Sequence, residues 1–312
     1  MLDGKTLVLD NTKRSCAQQC LRKYYWQHVK GFQPEWGSSA LRFGSTWHSI
    51  LEGYYTHIRD NGWTTDGSAL HAAMTEGKLE WDKESDGRLF YEDYRTFENA
   101  CQLFLSYVNH YHYDIGMLEV IAPEIVFRVP MELSQVDKVA FPHLTELDTM
   151  FTGQIDMQLK LNGSKWLMEH KTTGQSLNFQ TQRLNRSAQI KGYSWASERV
   201  LGFKPEGILI SFAHITSRKK VDGNYGKLTQ DFARTPQVFS DEDLEFWRQS
   251  FLAVANIVAN EYDRQLWPAN DDACYTFGAC PYISLCEQNR ELDDTNTGAF
   301  QIRHWDVERQ ND

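Results

Sequence analysis

The sequence predicts an α/β fold: a central mixed β-sheet flanked by helices, with a helical elaboration at the N-terminus. Three observations predict it. Apolar residues recur at helical spacing through most of residues 1–115. Residues 116–235 change to strand-like runs separated by turn residues, with one helical stretch between them. A capped helix then starts at Ser240. This order fits one α/β core with helices added in front.

The elements follow in chain order. Residues 12–30 read as helix and carry Cys16 and Cys20. In residues 45–60, Trp47, Ile50, Leu51, Tyr54 and Ile58 lie on one helical stripe. Residues 61–87 read as a loop with a short helix. Residues 88–113 read as one long helix, with Phe90, Tyr94, Phe97, Cys101, Phe104 and Val108 on a stripe. Ile121–Leu133 is strand-like, and Phe151–Leu161 with Ser164–Thr173 forms a hairpin. A helix over about 178–201 and the apolar strand Gly207–Ile215 come next. Residues 216–226 are a basic, Gly-containing turn leading to the strand Lys227–Ala233. Ser240 with Asp243 three residues on is an N-cap signal for a helix reaching about Gln265. The expected organisation is a single domain over 1–312. Its parts are a helical portion (1–115), a catalytic α/β core (116–235), a C-terminal helix with a cysteine segment (236–290) and a polar tail (291–312).

Composition narrows the function classes. Of 312 residues, 41% are hydrophobic and 13% aromatic, enough for a sizeable core and too many for a disordered chain. A formal net charge of -10 argues against coating nucleic acid through bulk charge. It leaves room for an enzyme with a local basic groove and acidic metal ligands. The N-terminus lacks the pattern of a secretory signal and no apolar run is long enough to span a bilayer, so an intracellular, cytoplasmic protein without membrane contact is expected. Were the chain phage-encoded, this would be the host cytoplasm. Six cysteines in a reducing compartment read as metal ligands or core thiols before disulfides.

The hairpin carries the chemistry. Asn162-Gly163 between two strand-like runs signals a two-residue type I′ turn. That turn sets Leu161 opposite Ser164, Leu159 opposite Trp166, Met157 opposite Met168 and Asp156 opposite Glu169. The Met and Leu side chains share a core face, and Asp156 and Glu169 share the other, with Cβ atoms roughly 4.5–5.5 Å apart. Lys171, two residues past Glu169, lies on the same side. Opposed like charges are destabilising unless a cation lies between them. Mg²⁺ or Mn²⁺ held by such carboxylates, beside a lysine that holds or activates water, suits metal-assisted phosphodiester hydrolysis. Asp, Glu and Lys are also ordinary on a solvated hairpin face.

Four segments together resemble a known family. Gly153-Gln-Ile-Asp156 and Glu169-His-Lys171-Thr172 resemble the central motifs of the PD-(D/E)XK nucleases, in particular the RecB-like branch. Upstream, Gly44-Ser-Thr-Trp-His48-Ser-Ile-Leu-Glu52 resembles that branch's histidine-bearing helix. Downstream, Gln189-Ile-Lys-Gly-Tyr193 resembles its Q-x-x-x-Y helix. The resemblance implies a restriction-endonuclease-like core and a metal-dependent DNA nuclease. Its metal ligands would be His48, Asp156, Glu169 and the carbonyl of His170. Lys171 would be catalytic, Gln189 would orient Lys171 or a phosphate, and Tyr193 would contact substrate. Exonuclease action, and a place in recombination, repair or phage DNA processing, are also implied by resemblance alone. No nucleotide-binding loop of the G-x-x-x-x-G-K-[ST] kind occurs, so a helicase or recombination motor would be a separate chain. The rival reading is a DNA-binding or assembly module that keeps the fold without catalysis.

Cys274, Cys280 and Cys286 fall in one thirteen-residue window, with another thiol far upstream. Three close cysteines plus a remote one suit a four-thiolate iron–sulfur cluster, and zinc is the alternative. The pattern resembles AddB-type recombination subunits and CRISPR-associated exonucleases, which place one cysteine before the nuclease core and three after it around a [4Fe–4S] cluster. The segment Cys20-Leu-Arg-Lys-Tyr-Tyr-Trp resembles the C-P-R-K motif that precedes aromatics in that family, and the resemblance implies Cys20 rather than Cys16 as the upstream ligand. Arg183, Arg186, Lys191 and the run Arg218-Lys219-Lys220 are the basic candidates for phosphate contacts. Tyr24, Tyr25 and Trp26 offer rings for stacking on bases or for packing.

Overall fold

The computed structural model describes residues 2–85, 88–91, 93–184, 186–276, 278–287 and 299–303. The chain opens with β1 (Leu2–Asp3), β2 (Thr6–Leu9), α1 (Asn11–Gln19) and α2 (Leu21–Tyr24), the last running into a π-helical turn at Tyr25–Val29. After β3 (Phe32–Pro34) come α3 (Ser39–Asn61), α4 (Ser68–Ser85) and α5 (Phe97–His110). Next are β4 (Leu118–Pro130), α6 (Gln135–Ala140), β5 (Asp148–Leu161) and β6 (Ser164–Thr173). The chain continues through α7 (Leu177–Leu184), α8 (Ala188–Leu201), β7 (Ile208–Lys219), β8 (Tyr225–Gln237) and α9 (Asp241–Arg264). It closes with α10 (Ile283–Glu287) and β9 (Phe300–Ile302).

Seven strands form one mixed sheet. β5 is its pivot: β4 lies antiparallel along one edge, while the other edge pairs with β2 in parallel at Asp148–Phe151 and with β6 antiparallel at Met157–Leu161. β6 pairs in parallel with β7, and β7 antiparallel with β8. Both faces are covered, as parallel pairs require. One face packs Phe151, Ile155, Leu167 and Ile210 against α1, α8 and α9. The other packs Met157, Leu159 and Met168 against α3, α4 and α5. The central mixed sheet flanked by helices is therefore as the sequence indicates.

Local sequence explains most of the elements. Ser38, Thr96, Ser187 and Ser240 each accept a backbone N–H from three residues on, which starts α3, α5, α8 and α9. Asn162 and Gly163 both take positive φ, at 50° and 85°, as a type I′ turn demands. Four expectations need correction. The helix expected across 12–30 is broken at Cys20, whose extended backbone separates α1 from α2. The helix expected across 88–113 begins only at Phe97, because Thr96 caps it there. The helix expected across 178–201 is two helices, with Ser187 capping the second. Residues 61–87 hold an eighteen-residue helix, α4, rather than a short one. Of the polar tail, residues 291–298 and 304–312 lie outside the described residues, but Phe300–Ile302 pairs with β3 as a strand.

Candidate active site

The site lies where β5 and β6 part. The ladder follows the turn-derived register from Leu161↔Ser164 to Met157↔Met168 and stops there. Asp156 and Glu169 are the first residues past the last rung. They are therefore not a paired rung, as the turn alone would place them. Beyond them β5 turns to β2, and β6 stays with β7 through His170↔Ser211 and Lys171↔Phe212. The parting opens a cleft of about 1290 Å³ lined by His48, Glu52, Glu124, Asp156, Glu169, Lys171 and Gln189, among others.

Four elements meet in the cleft. From α3, His48 Nδ1 lies 3.1 Å from Asp156 Oδ1. From β6, the backbone N–H of His170 donates to Asp156 Oδ2 at 2.6 Å. Lys171 Nζ donates to Glu169 Oε1 at 2.6 Å and to Gln189 Oε1 at 2.9 Å. From α8, Gln189 Nε2 donates to the same Glu169 oxygen at 3.0 Å and contacts Tyr193 Oη at 3.1 Å. The other Glu169 oxygen, Oε2, is buried without a hydrogen-bond partner. A buried carboxylate oxygen so placed is costly unless a proton or cation reaches it.

Electrostatics follow from this crowding. Burial pushes the Glu169 carboxyl up, and repulsion from Asp156 adds to that against the pull of Lys171. Burial also works against the Asp156 charge, but His48 outweighs it and holds Asp156 below the usual carboxylate range. His48 is raised: burial opposes its charge, and the Asp156 carboxylate overcomes this. Lys171 is likewise raised, since Glu169 and Asp156 outweigh its burial. The His170 ring points to the opposite face, where burial lowers it to about 3, so it is neutral.

Among the described residues, no three His, Cys, Asp or Glu side chains converge closely enough to hold a metal ion. Instead His48 is bonded to Asp156, and Lys171 and Gln189 are bonded to Glu169. The donor set still fits a hard cation, which prefers carboxylate oxygens, and the orphaned Glu169 Oε2 is the feature such an ion would satisfy.

Glu124 had no signal in the sequence. It follows a register shift in β4 and adopts φ 54°, unusual for a residue with a side chain. Gln154 donates to its carboxylate, and Glu52 lines the same cleft beside it. Burial, and then the Glu124 carboxylate, pushes Glu52 up to about 8. Glu52 belongs to the segment that resembles the histidine-bearing helix; the left-handed turn at Glu124 was not legible.

The other candidates divide. Tyr193 is buried against Phe127, with its hydroxyl on Gln189, and its ring lines the cleft wall. Lys191 is engaged with Asp243 at 3.1 Å. Arg183 on α7 and Arg186 just after it are exposed, and Arg218, Lys219 and Lys220 are exposed at the end of β7. Tyr24 and Tyr25 pack on Trp267, Tyr25 meets Trp26, and Trp26 stacks on Phe32, a core role.

The chain ends meet at the cysteines. Arg22 N–H donates to Pro268 O at 3.0 Å and Asn270 Nδ2 to Gln19 O at 2.9 Å. Asn270 N–H approaches Cys20 Sγ at 3.3 Å, and Cys274 Sγ approaches Asn270 O at 4.0 Å. All six cysteines are free thiols. Cys16 is buried and faces Gln27, while Cys101 stands apart on α5. Fold and sequence thus bring Cys20 to the C-terminal segment, but a closed four-thiolate ligand set is not formed among the described residues.

Solved structures give distant likenesses. A candidate exonuclease from Eubacterium rectale is 13% identical, with 88% of this chain and 94% of that chain covered, at a TM-score of 0.40. LHK-Exo in complex with dAMP is 14% identical over 72% of this chain and 95% of that chain, at a TM-score of 0.23. SSO0001 is 9% identical over 86% and 96% of the two chains, at a TM-score of 0.25. A search of curated proteins finds no match. The family profile of the PD-(D/E)XK nuclease superfamily, by contrast, matches residues 12–287, most of the chain. With a mixed sheet flanked by helices and the Asp156, Glu169 and Lys171 side chains gathered where two strands part, the chain belongs to the PD-(D/E)XK nuclease superfamily.

Proposed function

We propose that this chain is a Mg²⁺- or Mn²⁺-dependent deoxyribonuclease of the RecB-like branch, acting on DNA ends as an exonuclease. The observation that carries this is the Lys171–Glu169–Gln189 cluster facing the His48–Asp156 pair across the strand fork. His48, Asp156, Glu169 and the carbonyl of His170 would hold the cation. A bound divalent cation supplies charge stabilisation at the phosphate and a more acidic water.

The protein's own groups do the rest. Lys171 is charged at neutral pH, held by Glu169 and Asp156, so it acts as a donor that positions the attacking water or a phosphate oxygen. Gln189 fixes Lys171 and Glu169 together through its two amide atoms. Tyr193 fixes Gln189, and so supports the site through its hydroxyl rather than from an open surface. Arg183 and Arg186 are the phosphate contacts nearest in sequence to this helix. We further infer that Cys20, Cys274, Cys280 and Cys286 close on a [4Fe–4S] cluster, or on zinc, that clamps the chain ends. Recombination, repair or phage DNA processing in the cytoplasm, with any motor supplied by a separate chain, completes the reading.

The test is digestion of end-labelled single- and double-stranded DNA with Mg²⁺ or Mn²⁺, with Asp156→Ala and Lys171→Ala alongside. Mononucleotide release by the wild type that vanishes in both variants supports the reading. Binding of DNA without cleavage under every condition would favour the non-catalytic module. Iron and sulfide content of anaerobically purified protein decides the cluster: iron absent and zinc present would replace it, and neither metal would remove it.

A further inference from the structure

The His170 side chain points away from the cleft, into the layer formed by α3 and α5. Its ring stacks on Tyr55 of α3, with centroids 5.8 Å apart and planes 12° apart. Tyr107 of α5 meets it edge-on, at 6.4 Å and 79°. Both His170 and Tyr55 are 2% exposed. Neither ring nitrogen of His170 has a hydrogen-bond partner among the described residues. Burying a polar ring with no bond is unfavourable, so its faces must hold it there.

The layer behind the stack is braced. Tyr55 Oη and Tyr107 Oη are 2.9 Å apart. Arg234 Nη2 donates to Tyr107 Oη at 3.0 Å, and Arg234 grips Asp114 through two bonds of 2.6 and 2.7 Å.

Tyr55 is seven residues after His48 on the same helix. Seven residues are close to two full turns, so both side chains leave α3 on one side, about 10 Å apart along its axis. Helix α3 therefore touches the active-site strands at two points. His48 meets Asp156, and Tyr55 meets His170. The two points are joined by the bond from His170 N–H to Asp156. The contacts close a ring: helix, His48, Asp156, His170, Tyr55 and back to the helix.

We propose that the Tyr55–His170 ring stack is a positioning device that sets the depth and rotation of α3 against β6, and so fixes His48 against Asp156 and orients the His170 peptide. Tyr55 and the His170 ring touch no substrate; they act through the groups they hold. The proposal rests on the nuclease reading for its kinetic consequences, while its effect on cation affinity does not require cleavage.

The test uses the full chain with His170→Leu, which keeps apolar bulk but removes the ring, with Tyr55→Leu, which removes the partner ring and its hydroxyl, and with His170→Phe, which keeps a flat ring. Mn²⁺ affinity is read by electron paramagnetic resonance without DNA, and kcat and KM by digestion of end-labelled DNA. Both Leu variants should weaken Mn²⁺ binding and lower kcat by about 10–100-fold, with KM for DNA little changed. His170→Phe should recover most of both losses. Leu variants with wild-type Mn²⁺ affinity and kcat, and only a lower melting temperature, would reduce the stack to core packing. A Phe variant as impaired as His170→Leu would mean that the ring nitrogens matter and the stack does not. Should His170→Leu fail to fold by circular dichroism, Tyr55→Leu carries the same comparison. Absence of cleavage by the wild type would sink the nuclease reading and leave the Mn²⁺ comparison to decide this one.

Discussion

Lys171 Nζ and Glu169 Oε1 lie 2.6 Å apart, two residues along one strand and on one face of it. The contact uses a single carboxylate oxygen and leaves Oε2 buried and unbonded. Lys171→Ala should lower kcat by about 10²–10⁴-fold, the usual contribution of a positioned proton donor. Lys171→Arg should not restore it, because a planar fork cannot take the place of a compact ammonium between Glu169 and Gln189. Gln189→Ala, which removes the amide that bridges Lys171 and Glu169, should cost about 10–100-fold. Single-turnover digestion of end-labelled DNA separates these steps from substrate binding.

Cation binding should depend on pH through Glu169. Burial, and then Asp156, raise this carboxyl to about 7. A metal ligand must give up its proton, so Mn²⁺ affinity should fall as pH drops from 8 to 6. The stability effect has the opposite sense in the metal-free protein. A carboxyl raised in the folded state binds more protons there than when unfolded, so its contribution declines as pH rises from the ordinary carboxyl range to about 7. Isothermal titration with Mn²⁺ at several pH values checks the first effect, and thermal melts of wild type beside Glu169→Gln check the second. Affinity unchanged between pH 6 and 8 would contradict the assignment of Glu169 as a ligand.

Gly153 leaves no room for a side chain. A Cβ there would lie 2.7 Å from Phe127 Cζ and 2.9 Å from Tyr193 Cε1. Gly153→Ala should destabilise the fold by about 1–3 kcal/mol, the range for overpacking a filled core. It should also slow cleavage, since Tyr193 is displaced and Gln189 is bonded to it. Adding Phe127→Leu to Gly153→Ala makes room and should return part of both losses. Denaturant melts with parallel kinetics measure them.

Asp137 ties α6 to α9. It caps α6 with Ser134 and accepts from Arg248 and Gln249. Burial alone would raise its carboxyl, but these bonds outweigh burial and hold it well below the usual range. Such a group stabilises the fold above its ordinary unfolded value and loses that contribution as pH falls through the folded value. Asp137→Asn should therefore cost stability at pH 6, with the gap to wild type narrowing below about pH 4. Arg248→Met should cost about 1–3 kcal/mol at pH 6 by leaving a buried acceptor short of a donor. Urea melts across pH 3–7 report both; a gap that widens toward acid would refute the argument.

The helices were unevenly legible. α3 showed a clear apolar stripe because its bulky residues face the core. α4 did not, because it meets α3 through small residues. A Cβ at Gly77 would lie 2.2 Å from Ile50 Cγ1, and one at Gly53 would lie 3.0 Å from the Ala72 carbonyl. Close helix approach selects Gly and Ala, and these give little hydrophobic signal at any period. Residues 88–91 and 93–96 misled in the opposite way: Phe90 and Tyr94 continue the spacing of α5 but stand before the Thr96 cap, outside the helix.

Local chemistry in the sequence determined the hairpin register and pointed to the candidate site at its end. Asn162 and Gly163 accept positive φ, and the side-chain period of two then aligns every residue down to Met157 and Met168. Asp156, Glu169 and Lys171 stand just past that register, and it was the motif they resemble that singled them out. Only the tertiary structure decided that the strands part at Asp156, that Gln189 and Lys171 share one oxygen of Glu169, that Glu124 turns left-handed beside Glu52, and that His170 faces Tyr55. These depend on β2 and β6 competing for one edge of β5 and on helices packed from both faces, contacts between residues far apart in the chain. A turn propagates its register only along the ladder it starts, and the site begins where that ladder ends.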